Sequence, residues 1–190
     1  MVLHDRPTID EGPDLMSDDL TRTIDFDTWV AENGPDLKPP VANKEMFLGG
    51  EDFIVMVVGG PNARTDYHVD PFEEVFYQIK GTMHVDLMTP DGPATVTIGP
   101  GEMWVLPRNV PHSPQRPEAG SIGLVFERIR EEGTLEKFQW YCPECSALVH
   151  EVELQVRDIA DDLPPVFEAF YLDESARTCE SCGHLHPGKG

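Results

Sequence analysis

Two histidines and one carboxylate stand in the sequence where a metal ion could be gripped. In YHVDPFEEVFYQIKG, His68 and Glu74 lie close together just before a β-type run that ends at Gly81. In GEMWVLPRNVPHSPQRP, His112 sits beyond a second hairpin. Two imidazoles and one carboxylate from adjacent strands can occupy one face of an octahedron and leave the opposite positions to a substrate and dioxygen, the arrangement of non-haem iron(II) oxygenases. Arg64, in GGPNARTDYH, precedes this set and Arg116, in HSPQRP, follows it. A planar guanidinium is what bidentate carboxylate recognition requires, so two arginines beside a metal point to an anionic substrate. The alternative is that each pairs with a neighbouring Asp or Glu.

A second set is made of cysteines. Cys142-Pro143-Glu144-Cys145 and Cys179-Glu180-Ser181-Cys182 supply four thiolates on two knuckle-like turns, which suits a tetrahedral zinc or iron ion. Two disulfides are the alternative. The N-terminal stretch has neither a basic start followed by an apolar run nor a small-residue cleavage site, so a cytoplasmic, reducing location is expected, in which metal binding outranks disulfides. His150, His184 and His186 lie near these cysteines, but four thiolates already fill a tetrahedron. His4 and His84 are read as ordinary surface or core histidines.

The elements that must hold these residues are mostly strands. At 190 residues the chain has room for one main domain and a small appendage. Residues 1–24 read as an acidic flexible tail. In DFDTWVAENG a short helix is expected, with Asp25 or Asp27 as cap, Gly34 as a left-handed stop, and Trp29 and Val30 toward the core. From Phe53 to Trp140 short β-type runs (FIVMVV, VFYQI, TMHVDLM, ATVTI, MWVL, SIGLVFE, KFQW) alternate with turns such as TPDGPAT and IGPGE. Antiparallel pairing in a sandwich or small barrel follows. After Trp140, DIADDLPP reads as an acidic-proline stretch and VFEAFYL as a short helix. The expected division is a tail at 1–24, a catalytic domain at 25–138 and a four-cysteine metal segment at 139–190 docked on the barrel.

Composition removes some functions. A net charge of -21 with 14 Lys+Arg excludes a phosphate-backbone binder, and no apolar run could span a bilayer.

The order His68-x-Asp70-x3-Glu74-x6-Gly81, then Gly101-x5-Pro107 and His112, resembles the two cupin motifs and implies a double-stranded β-helix barrel with metal inside. Asp70 stands where those motifs have a second histidine, which reduces the ligand set to three and opens a coordination site. Asn109 stands where a glycine is usual, and Asn tolerates the left-handed conformation such a turn needs. More of the chain, including KPPVAN, FERIR, FQWYCPEC, DLPPVFEAFY and CESCGHLHPG, is similar to the bacterial-type 3-hydroxyanthranilate 3,4-dioxygenase family from about Phe26 onward. That resemblance implies iron(II) on His68, Glu74 and His112, and substrate or oxygen contacts from Arg64 and Arg116. It also implies a hydrogen bond from Glu127 to the substrate's amino or hydroxyl group and a pocket role for Asn43. A rubredoxin-like iron centre on the four cysteines, remote from chemistry, and a homodimer are implied as well. The implied reaction opens the ring of 3-hydroxyanthranilate with O2 to 2-amino-3-carboxymuconate 6-semialdehyde, the precursor of quinolinate in tryptophan catabolism. A cupin acting on a related aminophenol or catechol carboxylate, or a non-catalytic binder of a small acid, are the alternatives.

Overall fold

The structure, a computed structural model, describes residues 23–37, 43–46 and 52–189. Most of the expected acidic tail, His4 and residues 38–42 of KPPVAN lie outside the described residues. The chain divides into two units after Gly34. In the first, α1 spans Phe26–Asn33, and the Asp25 side chain accepts from the Thr28 N–H at 2.8 Å as its N-cap. Gly34 is not left-handed: its φ is -52°, its N–H still donates to the Val30 carbonyl, and Pro35 carries the chain into a 3-10 turn over Gly34–Asp36. Trp29 and Val30 are half-buried rather than enclosed, and α1 has no buried residue, because a two-turn helix offers only a narrow apolar stripe.

The second unit is built on strands β1 (Asn43–Glu45), β2 (Phe53–Gly59), β3 (Asp66–Val69), β4 (Glu74–Lys80), β5 (Met83–Thr89) and β6 (Gly92–Ile98). It continues with β7 (Met103–Leu106), β8 (His112–Gln115), β9 (Ile122–Arg128), β10 (Glu136–Tyr141) and β11 (Leu148–Leu154). Two helices close it, α2 (Ile159–Leu172) and α3 (Glu174–Arg177).

One sheet runs β1-β2-β9-β4-β7 and the other β11-β10-β3-β8-β5-β6, with every described pairing antiparallel. From β2 to β9 the chain crosses back and forth between the sheets, giving inner orders β2-β9-β4-β7 and β3-β8-β5-β6. That is the two-Greek-key winding of the cupin double-stranded β-helix. Tight turns set the register. β5 and β6 close over Pro90-Asp91 with Thr89 opposite Gly92, and Gly81, at φ 70°, turns β4 into β5 where a Cβ would meet the Glu118 carboxylate at 2.9 Å. Asn109 takes the left-handed conformation at φ 60°, as its position in the motif requires.

Strand alternation puts Met56, Val58, Phe76, Met83, Val85, Leu87, Ile98, Leu106 and Val125 into one apolar cluster between the sheets. A second cluster joins Phe138 and Trp140 of β10 to Val156 and to Phe170 of α2. Trp140 is fully buried and stacks on Phe170 at 4.3 Å between ring centroids. Helix α2 is longer than the expected VFEAFYL segment. The acidic stretch before it is its first turns: Asp158 accepts from the Asp161 N–H at 3.2 Å, and Asp162 accepts from the N–H groups of Arg157 and Asp158 at 2.7 and 3.0 Å. Carboxylates there satisfy the orphan donors and the positive end of the helix dipole. The helix runs on through Pro164 and Pro165, and Leu163, Phe167 and Tyr171 bind it to the second cluster.

Candidate active site

The three residues first singled out converge between the sheets. His68 on β3 and His112 on β8 are directly opposite each other in register, and Glu74, the first residue of β4, reaches them from the facing sheet. All three are buried, and their ligand atoms lie within 4.8 Å of one another. Glu74 Oε1 is 3.0 Å from His112 Nε2 and 3.6 Å from His68 Nδ1, yet it makes no well-formed hydrogen bond among the described residues. Metal bonds of about 2.1 Å at right angles place neighbouring ligand atoms about 3 Å apart. The other ring nitrogens are engaged: His112 Nδ1 donates to the Val110 carbonyl at 3.0 Å, and His68 Nε2 to the Glu136 carboxylate at 2.7 Å. Such outer partners fix a metal-binding imidazole's tautomer and direction. An orphaned carboxylate oxygen between two oriented imidazoles fits a metal cofactor.

Charge follows the geometry. Burial works to raise the Glu74 carboxylate, but His112 and then His68 outweigh it and bring it down to about 2. Glu127, on β9, goes the other way, pushed up to about 7 by burial first and then by the Glu74 charge, against the pull of Arg130.

One cavity is lined by His68, Glu74, His112, Asn43, Arg64, Arg116 and Glu127, with Met56, Val58, Phe76 and Val125 among its apolar walls. Every candidate residue of the barrel site is therefore brought to one place. The two arginines differ. Arg64 is held in a bidentate ion pair with buried Asp66, so the pairing alternative describes it correctly. Arg116 is 1% exposed, and its Nε and Nη2 have no hydrogen-bond partner among the described residues. Burial alone lowers its guanidinium to about 10. Gly123 makes the space for it: a Cβ there would stand 3.3 Å from Arg116 Nη2 and 2.5 Å from Gln78 Oε1.

Two comparisons with known proteins bear on this geometry. The profile of the 3-hydroxyanthranilic acid dioxygenase family matches residues 18–171. The chain belongs to that family. A 3-hydroxyanthranilate 3,4-dioxygenase of Burkholderia lata is 52% identical over 87% of this chain and 95% of the relative. Proteins of the same name from Jannaschia sp. (strain CCS1) and Brucella anthropi are each 52% identical over 87% of this chain and 92% of their own.

For a member of this dioxygenase family, the residues that the sequence reading did not single out are informative. Asp66 holds Arg64, while Arg130 and Glu136 form the outer side of the site, with Glu136 only 1% exposed. The signal for Arg130 was its place three residues after Glu127, and for Glu136 its place at the head of an apolar strand. Asp70 is not among the three; its Oδ1 accepts from the Phe72 N–H at 2.7 Å, and its carbonyl accepts from Asn109 N at 2.7 Å. His84 is half-exposed near Asp86, outside the cavity.

The cysteines also converge. Cys142 Sγ is 3.5 Å from Cys182 Sγ and Cys145 Sγ is 3.6 Å from Cys179 Sγ, and all four sulfurs lie within 4.8 Å of one another with no disulfide. Each pair sits on the same kind of turn, with Gly183 N donating to the Cys179 carbonyl and Ser146 N to that of Cys142 at 2.8 Å. Both residues after the second cysteine are left-handed, Ser146 at φ 60° and Gly183 at φ 77°. The neighbouring histidines stay out of the cluster.

Proposed function

We propose that this protein is an iron(II) ring-cleaving dioxygenase that converts 3-hydroxyanthranilate and O2 to 2-amino-3-carboxymuconate 6-semialdehyde. The reading rests above all on the cavity, in which a metal-competent face and an unpaired buried guanidinium look onto the same space. Iron(II) held by His68, Glu74 and His112 would supply adjacent open positions for the substrate's hydroxyl and amine and for O2. The chain's own residues do the rest. Arg116 binds the carboxylate, because a buried cation without a partner is costly and an anion relieves that cost. Glu127, poised near neutrality, takes the proton that the hydroxyl gives up on binding. Arg64, steadied by Asp66, lines the cavity and presents a cation to charge that develops in it, and Asn43 adds a polar group to the same lining. Met56, Val58, Phe76 and Val125 keep bulk water from the reacting ring. Iron(II)-loaded protein mixed with 3-hydroxyanthranilate in air should consume one O2 per substrate and develop the product's ultraviolet band. Absence of both changes would sink the reading.

We assign residues 25–138 to the catalytic barrel and 139–190 to a segment in which the four cysteines hold a second ion, iron or zinc. Support comes from the sulfur spacing, since a tetrahedron of about 2.3 Å metal–sulfur bonds has edges of about 3.8 Å. Cys142→Ser combined with Cys145→Ser should lose that ion and lower the thermal midpoint by roughly 10 °C, because metal binding is folding free energy for a segment with a small core. Turnover per folded molecule should persist. A double variant that unfolds with the parent and still carries two ions per chain would refute the site.

A homodimer in the cytoplasm completes the reading. Strand register aligns Phe126, Val75 and Val105 across the outer face of one sheet, where Phe53, Met103 and Val105 are at least half exposed. Light scattering at the monomer mass would remove the dimer.

A further inference from the structure

Four charged or ionisable side chains form a chain that starts at the substrate cavity and ends at the metal face. Glu127 lies at the end of β9, Arg130 two residues beyond that strand, and Glu136 at the head of β10. Arg130 Nη2 donates to Glu127 Oε2 at 3.0 Å and to Glu136 Oε2 at 3.2 Å, while its Nε binds Glu136 Oε1. Glu136 Oε2 in turn accepts from His68 Nε2 at 2.7 Å. None of the four is more than 11% exposed at its side chain. No other described residue hydrogen-bonds the Glu127 carboxylate.

Each link is directional. A guanidinium presents its donors in one plane, so gripping Glu136 through two nitrogens fixes the plane in which Nη2 meets Glu127. Packing holds the other end, since His68 stacks on Phe138 at 5.0 Å between centroids, and Phe138 faces His68 in the β3–β10 register. The loop itself is tied to the barrel where Ile129 N donates to the Asp52 carbonyl at 3.1 Å.

We propose that Arg130 is a positioning residue: it aims Glu127 at the substrate and, through Glu136, fixes the His68 ring that faces the metal. The inference rests on the reading of Glu127 as a substrate-contacting group. It predicts that one side chain, touching neither substrate nor metal, sets both turnover and iron affinity. Removing an outer partner of a metal-binding histidine typically costs about 10- to 100-fold in affinity or activity.

The test is a double-mutant cycle on the full chain with Arg130→Met, Glu127→Gln and the combination, measuring kcat and KM at saturating iron and the iron(II) dissociation constant by competition with a chromogenic chelator. Arg130→Met should lower kcat more than tenfold in the parent, with KM moving less, but less than threefold once Glu127 is already Gln. It should also weaken iron more than tenfold in both backgrounds, while Arg130→Lys falls between. If Arg130→Met does not fold, Arg130→Lys carries the same cycle. An equal loss of kcat in both backgrounds, or iron affinity unchanged within threefold, would overturn the proposal. Glu127→Gln as active as the parent is a different failure, because it removes the reading of Glu127 before Arg130 is touched.

Discussion

Replacing His68, Glu74 or His112 by Ala should lower 3-hydroxyanthranilate turnover by more than ~1000-fold, since the acceleration of this chemistry depends on the bound metal. Three ligands are the minimum for a face with open positions, so no two of them suffice. The fold should survive. The apolar cluster between the sheets contains none of the three. Iron content, oxygen uptake and circular dichroism on each variant read the three consequences separately. Any one variant with normal iron and normal turnover would break the assignment.

The three residues that meet between the sheets could be picked out in the sequence, but the strands that carry two of them could not. β3 (Asp66–Val69) and β8 (His112–Gln115) are short and polar, and β8 contains Pro114, so neither shows the alternating apolar pattern that revealed β4 or β5. His68 and His112 are buried on them because they face the cavity, which is where local pattern and fold are expected to disagree. The start of α2 was hidden for a related reason. Asp158 and Asp162 lower the apolar signal of the stretch, yet as carboxylates at a helix N-terminus they stabilise its first turn. The cysteine pairs were legible because a C-x-x-C turn carries its own geometry. The partners Asp66, Arg130 and Glu136 were not, since an Arg–Glu contact between β10 and the loop after β9 exists only once the register is known. The same holds for the difference between the arginines: both flank a ligand in sequence, and only packing shows that one is paired and the other is not.

That difference yields the second large effect. Arg116→Lys should lower kcat/KM for 3-hydroxyanthranilate by roughly 10- to 150-fold, the equivalent of losing a charge-assisted hydrogen bond of about 1.5–3 kcal/mol. Lysine keeps the charge but not the planar fork, and Gly123 leaves space shaped for a guanidinium beneath β9. Arg64→Lys should cost less on this substrate's carboxylate, because Asp66 already occupies the Arg64 fork. A substrate without the carboxylate separates the two roles. 2-Aminophenol should be a poor substrate of the parent, and Arg116→Lys should barely change its turnover, since no anion remains for that residue to hold. Arg64→Lys should affect both substrates by a similar factor if it acts on charge at oxygen. Steady-state oxygen consumption with both compounds on the parent and the two variants decides the matter. Should the parent turn over 2-aminophenol as efficiently as 3-hydroxyanthranilate, Arg116 is not a carboxylate anchor, and its buried, unpartnered guanidinium must answer to some other anion.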